Sequence, residues 1–285
     1  MRMAQPVIQL FVNAAAGSSS RRRVTALRHE LETAGARVIM TPAAGGLSIA
    51  DDATHVVAVG GDGTLRHVAA ALWASGRALP MSVFPTGTVN LLAREYGYRR
   101  DPIRFAGRLL RESAPRLQRI ARIGETMMFT CASVGPDADA VAGVSPRLKR
   151  AIGRAAYGVA FLKIFIRWPR RHLSVQADGQ TIACEAVYVA KGRYYAGPWS
   201  FAPGAAADDP YLHVVALSRA RRRDFIRFLW SLLHRKDLAR DANLIRFACA
   251  ELTIEGGDAP LQADGDIVAH LPVEIVIDPT AQPFA

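Results

Sequence analysis

Residues 56–64, VVAVGGDGT, are the most informative motif of the sequence. Four strand-forming residues lead into a turn with three glycines, and residues 65–72 follow with an apolar pattern of helical spacing. A strand that ends in glycines at a helix start suits a phosphate, because backbone N–H groups can approach the anion and the helix N-terminus is partly positive. Asp62 would repel a phosphate unless a cation lies between them. The turn therefore predicts either a nucleotide–Mg²⁺ site or a tight bend that only requires glycine.

The composition of the 285-residue chain limits the function classes. Half of the residues are hydrophobic, which provides a core for two domains and excludes wholesale disorder. Lys and Arg total 36 against 25 Asp and Glu, and the net charge of +11 favours a nucleic acid, a nucleotide or an acidic membrane surface as partner. Three cysteines in no paired motif are typical of reduced thiols and predict no zinc site. We find no signal-peptide core and no apolar stretch long enough to span a membrane, so we expect a cytoplasmic protein with peripheral membrane contact.

Strands and helices alternate through the first 120 residues. The pattern predicts strands at Val7–Val12, Arg37–Met40, 56–59 and Met81–Phe84, with helices at 22–34, 65–75 and 89–96. This order indicates parallel βαβ units, which bind ligands beyond the carboxyl ends of their strands. Asn13, Thr41, the glycine turn and residues 85–88 all fall at such ends.

The pattern changes near residue 120. Turn signals then separate short strand-like runs at residues 126–133, 172–177, 183–190, 212–217, 251–255 and 273–277. Two helical stretches, at 145–167 and 221–238, interrupt them. We therefore predict an α/β domain over residues 1–120 and an antiparallel β-rich domain over residues 121–285.

Several separated motifs together resemble the diacylglycerol kinase catalytic-domain family, which includes sphingosine kinases and small bacterial lipid kinases. They are Asn13 to Gly17, GGDGT at 60–64, PTGTVNLLAR at 85–94, SVGPDA at 133–138, AGP at 196–198 with APGA at 202–205, and DGD at 264–266. The glycine turn alone is also similar to those of NAD kinases and phosphofructokinases, whereas the blocks at 85–94 and 264–266 make the resemblance specific. It implies a nucleotide-binding α/β domain of the NAD kinase/phosphofructokinase type, followed by a β-sandwich domain. In related enzymes the last segment often returns to the first domain.

The resemblance also implies ATP and Mg²⁺ as cofactors. The residues that would hold the nucleotide are Gly60, Gly61, Asp62, Gly63, Thr64, Leu65, Arg66 and His67, with Asn13, Thr41, Gly87, Thr88 and Asn90. Asp62 would act on Mg²⁺ directly or through water. Thr41 has an alternative interpretation, in which it only ends a strand.

The resemblance assigns Asp266 as the general base that takes the proton from the lipid hydroxyl. The family usually carries Glu here, and Asp has the same chemistry on a shorter arm. An ordinary Asp-Gly-Asp hairpin turn is the alternative, and Asp264 is the alternative acid.

Two further positions depart from the family pattern. The loop 206–212 matches a segment that holds a structural Mg²⁺ in some relatives, which implies Asp209 with the Ala206 and Tyr211 carbonyls as ligands. Pro210 replaces the family glycine, so a plain surface turn is the alternative. Leu91 replaces an acidic residue that commonly follows Asn90.

Two apolar stretches, 155–166 and 225–233, carry or adjoin a tryptophan and are flanked by basic residues at 147–150, 167–171 and 219–223. Such segments suit anionic lipid headgroups, and core-facing helices with solvated charges are the alternative. We expect a lipid substrate and an anionic membrane surface as partners. We expect no nucleic acid as partner, because the sequence contains no recognised nucleic-acid-binding module. Whether the chain forms a homodimer is left open.

The resemblance implies an ATP- and Mg²⁺-dependent lipid kinase that phosphorylates a hydroxyl of a diacylglycerol-like or sphingoid lipid at the membrane surface. One alternative is an NAD kinase-like enzyme. The other is a degenerate member that binds nucleotide or membrane without transfer, which Asp266, Leu91 and Pro210 keep open.

Overall fold

A computed structural model of the chain describes residues 5–13, 18–111, 114–144 and 155–285. The chain divides into two compact units, Met1–Gln118 with Thr280–Ala285, and Arg119–Pro279. The family loop at 14–17, the basic segment Arg147–Arg150 and the first part of the helix expected at 145–167 lie outside the described residues.

The first unit alternates strands and helices. Its elements are β1 (Val7–Val12), α1 (Ser18–Thr33), β2 (Arg37–Pro42), β3 (His55–Gly60), α2 (Asp62–Ala74), β4 (Met81–Pro85), α3 (Leu91–Glu95) and α4 (Pro102–Leu109), and β5 (Arg116–Ile123) follows. The strands lie in the order β2-β1-β3-β4 with parallel pairing, as the sequence predicted. β3 and β4 are buried along almost their whole length, as in sheets covered on both faces.

The second unit consists of antiparallel strands with three α-helices and one short 3-10 helix, Leu238–Arg240, among its described elements. These are β6 (Thr126–Met128), β7 (Cys131–Val134), α5 (Pro136–Ala142), α6 (Ala155–Arg167), β8 (Leu173–Ala177), β9 (Gln180–Cys184), β10 (Ala186–Ala190), β11 (Leu212–Leu217), α7 (Arg222–Leu233), β12 (Leu244–Cys249), β13 (Glu251–Glu255), β14 (Pro260–Ala263), β15 (Asp266–His270) and β16 (Val273–Phe284). One sheet has the order β12-β11-β10-β7-β14-β15 and the other contains β16-β13-β8-β9. Apolar side chains of both sheets form one core, so the predicted β-sandwich is confirmed.

The last residues of β16 belong to the first unit. Phe284 pairs with Met81 of β4, and the Ala285 N–H donates to the Met81 carbonyl at 3.1 Å. The Phe284 ring stacks on Tyr96 with centroids 4.8 Å apart, and the Tyr98 hydroxyl donates to the Ala285 carbonyl. The chain end thus adds buried apolar surface beside β4.

Two predicted strands were wrong in their extent. The run 126–133 is divided into β6 and β7, because the backbone N–H groups of Phe129 and Thr130 donate to the Asp264 carboxylate. The run 183–190 is divided into β9 and β10 at Glu185, whose N–H donates to the Leu217 carbonyl at 2.9 Å. α4, α5, β5, β12, β14 and β15 were not predicted.

Candidate functional site

The glycine turn presents a helix N-terminus at the carboxyl edge of the parallel sheet. β3 ends at Gly60 and α2 begins at Asp62, with Gly61 between them in an extended conformation. The first helical hydrogen bond runs from Leu65 N–H to the Gly61 carbonyl at 3.0 Å. The N–H groups of Gly63 and Thr64 precede that bond, so the helix does not use them. They are the donors that a phosphate would find here.

Two glycines of this region stand where no side chain fits. A Cβ on Gly60 would lie 2.3 Å from Thr64 Oγ1, and one on Gly87 would lie 2.5 Å from the Cα of Gly61. The N–H groups of Thr86 and Gly87 both donate to the Gly60 carbonyl, at 2.8 and 3.1 Å. The β3–α2 turn and the β4–α3 loop are therefore held together backbone to backbone.

Asn13 brings the end of β1 to the same place. Its Nδ2 donates to Thr64 Oγ1 at 3.0 Å, and its backbone N–H donates to the Val59 carbonyl at 3.1 Å. Thr41 makes a different contact, because its Oγ1 accepts from Gln9 Nε2 at 3.0 Å. That bond lies between β1 and β2, which supports the interpretation of Thr41 as a structural residue.

Asn90 contributes an unusual buried oxygen. Its backbone is left-handed, with φ of 55°, and its Nδ2 donates to the Gly87 carbonyl at 2.8 Å. Its Oδ1 is buried and finds no hydrogen-bond partner within the described part of the chain. The same oxygen would lie 2.7 Å from a Cβ on Gly87, so it sits against the glycine pair. A buried acceptor without a donor costs free energy, and a bound cation or ligand donor would satisfy it.

Asp62 places a negative charge at the start of α3, where Leu91 stands instead of the acidic residue common in the family. Its Oδ1 accepts from the Leu92 N–H at 3.3 Å, in the first turn of α3. A carboxylate is favourable at a helix N-terminus, so the acid comes from the glycine turn instead of from the helix itself.

The other predicted nucleotide-binding residues differ in accessibility. Gly63, His67 and Thr88 are exposed, and Arg66 is half-buried. The Leu65 side chain is buried, which leaves it a packing role.

One residue near this loop was missed. The guanidinium of the exposed Arg100 donates to the Gly87 carbonyl at 2.5 Å and adds positive charge beside the glycine pair. Arg100 lies in none of the motifs, so its charge was the only signal in the sequence.

The turn at 264–266 is a hairpin between β14 and β15. Asp264 and Gly265 both have positive φ, of 49° and 89°, as a two-residue type I′ turn requires. The buried Asp264 carboxylate accepts from the N–H groups of Phe129, Thr130 and Cys131 at 2.9 to 3.1 Å, and from Thr130 Oγ1 at 2.5 Å. Four donors commit this carboxylate to structure, whereas Asp266 is the half-buried first residue of β15. The role of Asp266 as the general base stays a prediction.

A buried polar network leads to this turn. Asp137 accepts from Ser133 Oγ at 2.5 Å and from the hydroxyls of Tyr195 and Tyr188 at 2.6 and 3.1 Å. Burial raises the pKa of Asp137, although these hydrogen bonds lower it in part. The family motif at 133–138 marks Asp137 in the sequence but not its partners.

The network continues from Ser133 to the hairpin. Gln262 Nε2 donates to Ser133 Oγ at 2.8 Å, and the Gly265 N–H donates to Gln262 Oε1 at 3.0 Å. The residue before Asp266 is thereby tied to the network, which fixes the backbone of the turn.

The ammonium group of Lys191 contacts the loop 206–212, which was expected to bind a structural Mg²⁺. Lys191 is fully buried, and its Nζ donates to the Ala207 carbonyl at 2.6 Å and approaches the Ala206 carbonyl at 3.4 Å. Asp209 Oδ2 accepts from the Ala206 N–H at 2.8 Å and lies 2.7 Å from His213 Nε2.

A buried cation already faces the Ala206 carbonyl, one of the three expected ligands, so the set of Asp209, Ala206 and Tyr211 does not fit a divalent metal site. The charge of Lys191 would repel Mg²⁺.

Comparisons with known proteins identify both units. Residues 7–121 match the diacylglycerol kinase catalytic domain, and residues 130–283, more than half of the chain, match the YegS C-terminal NAD kinase beta sandwich-like domain.

Two curated relatives illustrate the similarity. A Pseudomonas syringae protein named "Probable lipid kinase YegS-like" is 31% identical over 57% of this chain and 53% of its own length. The "Diacylglycerol kinase" of Bacillus subtilis is 24% identical over 80% of each chain. The chain thus spans about half the length of the YegS-like relatives it matches.

A solved structure of a diacylglycerol kinase from Bacillus anthracis superposes with a TM-score of 0.75 at 18% identity, covering 96% of this chain and 98% of that one. At this identity the match concerns the fold alone.

Proposed function

The chain belongs to the family in which a diacylglycerol kinase catalytic domain is joined to a YegS C-terminal domain, and on this premise we propose that it is an ATP- and Mg²⁺-dependent lipid kinase. Its acceptor is a hydroxyl of a diacylglycerol-like or sphingoid lipid. The observation that carries the proposal is the pair of glycines, Gly60 and Gly87, where a Cβ would collide with the Thr64 side chain and with the Gly61 backbone, respectively.

The residues of the glycine turn fit a nucleotide phosphate. The N–H groups of Gly63 and Thr64 precede the first helical hydrogen bond, and the partial positive charge of α2 favours an anion there. The orphaned Asn90 Oδ1 and the Asp62 carboxylate provide oxygen atoms of the kind that Mg²⁺ binds. When bound, ATP would supply the γ-phosphoryl group and leave as ADP, and Mg²⁺ would neutralise the charge on the phosphates.

The second unit supplies the proton acceptor. Asp266 takes the proton of the attacking lipid hydroxyl on its carboxylate, which raises the nucleophilicity of that oxygen. Asp264 and the hydrogen bonds through Gln262 hold the turn that carries Asp266, so the backbone of Asp266 is fixed in position.

The test is phosphoryl transfer from γ-labelled ATP to a lipid extract, followed by mass spectrometry, with NAD as a separate acceptor. We expect a phosphorylated lipid from the wild type and none from Asp62→Ala or Asp266→Ala. Asp258→Ala, which removes an exposed acid after β13, is the matched control and keeps wild-type activity.

Each arm can contradict the proposal. Phosphorylation of NAD without any lipid product would reassign the acceptor. ATP binding without a product on any lipid would favour the degenerate member. Full activity in Asp266→Ala would remove Asp266 as the base.

A further inference from the structure

Two neighbouring helices of the second unit each expose an apolar stripe. On α6 the stripe is Val159, Leu162 and Ile166, and on α7 it is Ile226, Trp230 and Leu233. The spacings are three and four residues on α6 and four and three on α7, so each set lies on one helix face. We call these six residues the α6–α7 stripes. Their exposed fractions range from 40% to 69%, whereas Ala160 on α6 and Phe225, Phe228 and Leu232 on α7 are buried.

The two helices are packed on one another through other residues. The Phe161 and Phe225 rings lie 5.8 Å apart, and Trp168 contacts Phe225 with centroids 5.6 Å apart. Arg222 joins the end of α6 to the start of α7 by donating to the Phe165 and Ile166 carbonyls at 2.7 Å. Both stripes therefore belong to one continuous part of the unit.

The surroundings of the stripes are strongly basic. Segments 159–171 and 219–236 contain four and seven Lys and Arg residues, eleven together, against one acid, Asp224. Lys163 and Arg167 on α6 and Arg221 before α7 are exposed and form no ion pair with any residue that the structure describes. These cations are available to an external anion.

We propose that the α6–α7 stripes are a docking surface for an anionic lipid bilayer, with the apolar side chains entering the interface and the cations binding lipid phosphates. Exposed apolar side chains with tryptophan and flanking cations are what such an interface favours. Within the described residues no helix is long and apolar enough to cross a bilayer, so the helices would lie along its surface. A second copy of the chain is a poorer occupant, because it would bring two basic surfaces together.

The docking surface deepens the proposed function and rests on it, because a lipid kinase meets its lipid acceptor at a bilayer. The binding itself is measured without turnover. Cosedimentation uses vesicles of phosphatidylcholine alone and of phosphatidylcholine with phosphatidylglycerol, at low and high salt. We expect the wild type to bind the anionic vesicles and to be released by salt.

Two double variants test the surface. Ile166→Ala with Trp230→Ala should weaken binding by about tenfold or more, since each removes apolar area that would enter the interface. Arg167→Glu with Arg221→Glu should weaken it by a similar factor on anionic vesicles, given about 1 kcal/mol, or roughly fivefold, per basic residue.

Matched controls come from exposed residues elsewhere in the chain. Ile103→Ala with Leu117→Ala removes side chains that are 66% and 58% exposed, and Arg104→Glu with Arg240→Glu reverses two exposed arginines. The apolar control should bind vesicles as the wild type does. The charge control should bind more tightly than its test counterpart, because neither of its arginines belongs to α6 or α7.

Several results would overturn the proposal. They are wild-type binding to neutral and anionic vesicles alike, no binding at all, or equal loss in a test variant and its control. A dimer in analytical ultracentrifugation that the apolar variant dissociates, without vesicle binding, would assign the stripes to self-association instead.

Phosphoryl transfer to a lipid in detergent micelles separates the docking surface from the kinase function. Docking variants should keep that activity. Vesicle binding without any transfer would leave the docking surface standing and remove the kinase function.

Discussion

At the scale of single residues, the two acids of the 264–266 turn separate structure from catalysis. Asp264→Asn keeps a residue type that tolerates the left-handed backbone. One carboxylate oxygen, however, is replaced by an NH₂ group. This donor would face either the N–H of Phe129 or those of Thr130 and Cys131, and two donors cannot form a hydrogen bond. We expect a loss of about 2 kcal/mol in the free energy of unfolding, or roughly 4–8 °C in the unfolding midpoint. Asp266→Asn should lower the midpoint less than Asp264→Asn does and lower transfer by about 100-fold or more.

Calorimetry and lipid phosphorylation on both variants check this prediction. Asp258→Asn is the control for an exposed acid in a loop. An Asp264→Asn protein with the wild-type midpoint and no activity would move the base to Asp264.

Lys191 is the second residue with a testable role. Lys191→Met keeps the apolar stem and removes the ammonium, so the carbonyls of Ala206 and Ala207 lose a donor. We expect a loss of about 1–3 kcal/mol in the free energy of unfolding. The exposed Lys163→Met is the matched control and should unfold like the wild type.

The same loop predicts how the wild type responds to metal. Because the ammonium already faces the Ala206 and Ala207 carbonyls, any rise in the unfolding midpoint that Mg²⁺ brings over EDTA should be the same in Asp209→Ala as in the wild type. A rise of several degrees in Mg²⁺ that Asp209→Ala abolishes would show that the loop binds the cation after all.

At the scale of elements, the contact between the β3–α2 turn and the β4–α3 loop is the most restrictive. In Gly87→Ala the new Cβ would meet the Gly61 backbone at 2.5 Å, so the two segments must separate. We expect nucleotide affinity to fall by about tenfold or more, because each 1.4 kcal/mol of lost binding is a factor of ten.

Gly107→Ala is the matched control for that substitution. It lies in α4 with nothing within 4 Å of the new Cβ, and should raise stability by about 0.5–1 kcal/mol through helix propensity. Binding of a fluorescent ATP analogue measures both variants. Unchanged affinity in Gly87→Ala would show that this contact does not shape the nucleotide site.

The elements also show which features of the fold can be predicted from the sequence. The parallel strands, the glycine turn, the β-sandwich and the family were predicted, because periodicity and backbone requirements are local in the chain. The division of the run 126–133 was not predicted, since its cause is Asp264, 134 residues from Thr130. The ammonium of Lys191 and the guanidinium of Arg100 were missed for the same reason, because their partners are carbonyls that any residue could provide. The assigned nucleotide and base residues stay predictions.

At the scale of the whole molecule, the chain closes its first unit with its last residues. Phe284 is 1% exposed, stacks on Tyr96 and pairs with Met81. Phe284→Ala therefore removes a buried ring from the edge of β4, and should cost about 3–5 kcal/mol in the free energy of unfolding of the first unit.

Hydrogen exchange locates that loss within the chain. Opening of a cooperative unit exposes its own amides, so exchange in Met81–Pro85 should accelerate in Phe284→Ala while Leu212–Leu217 in the second unit keeps its wild-type rate. Equal acceleration in both segments would mean that the two units unfold together, and no change in either would mean that the chain end adds little to the sheet. Added ATP should slow exchange at Met81–Pro85 in the variant more than at Leu212–Leu217, because a ligand stabilises the unit that binds it and the glycine turn belongs to the first.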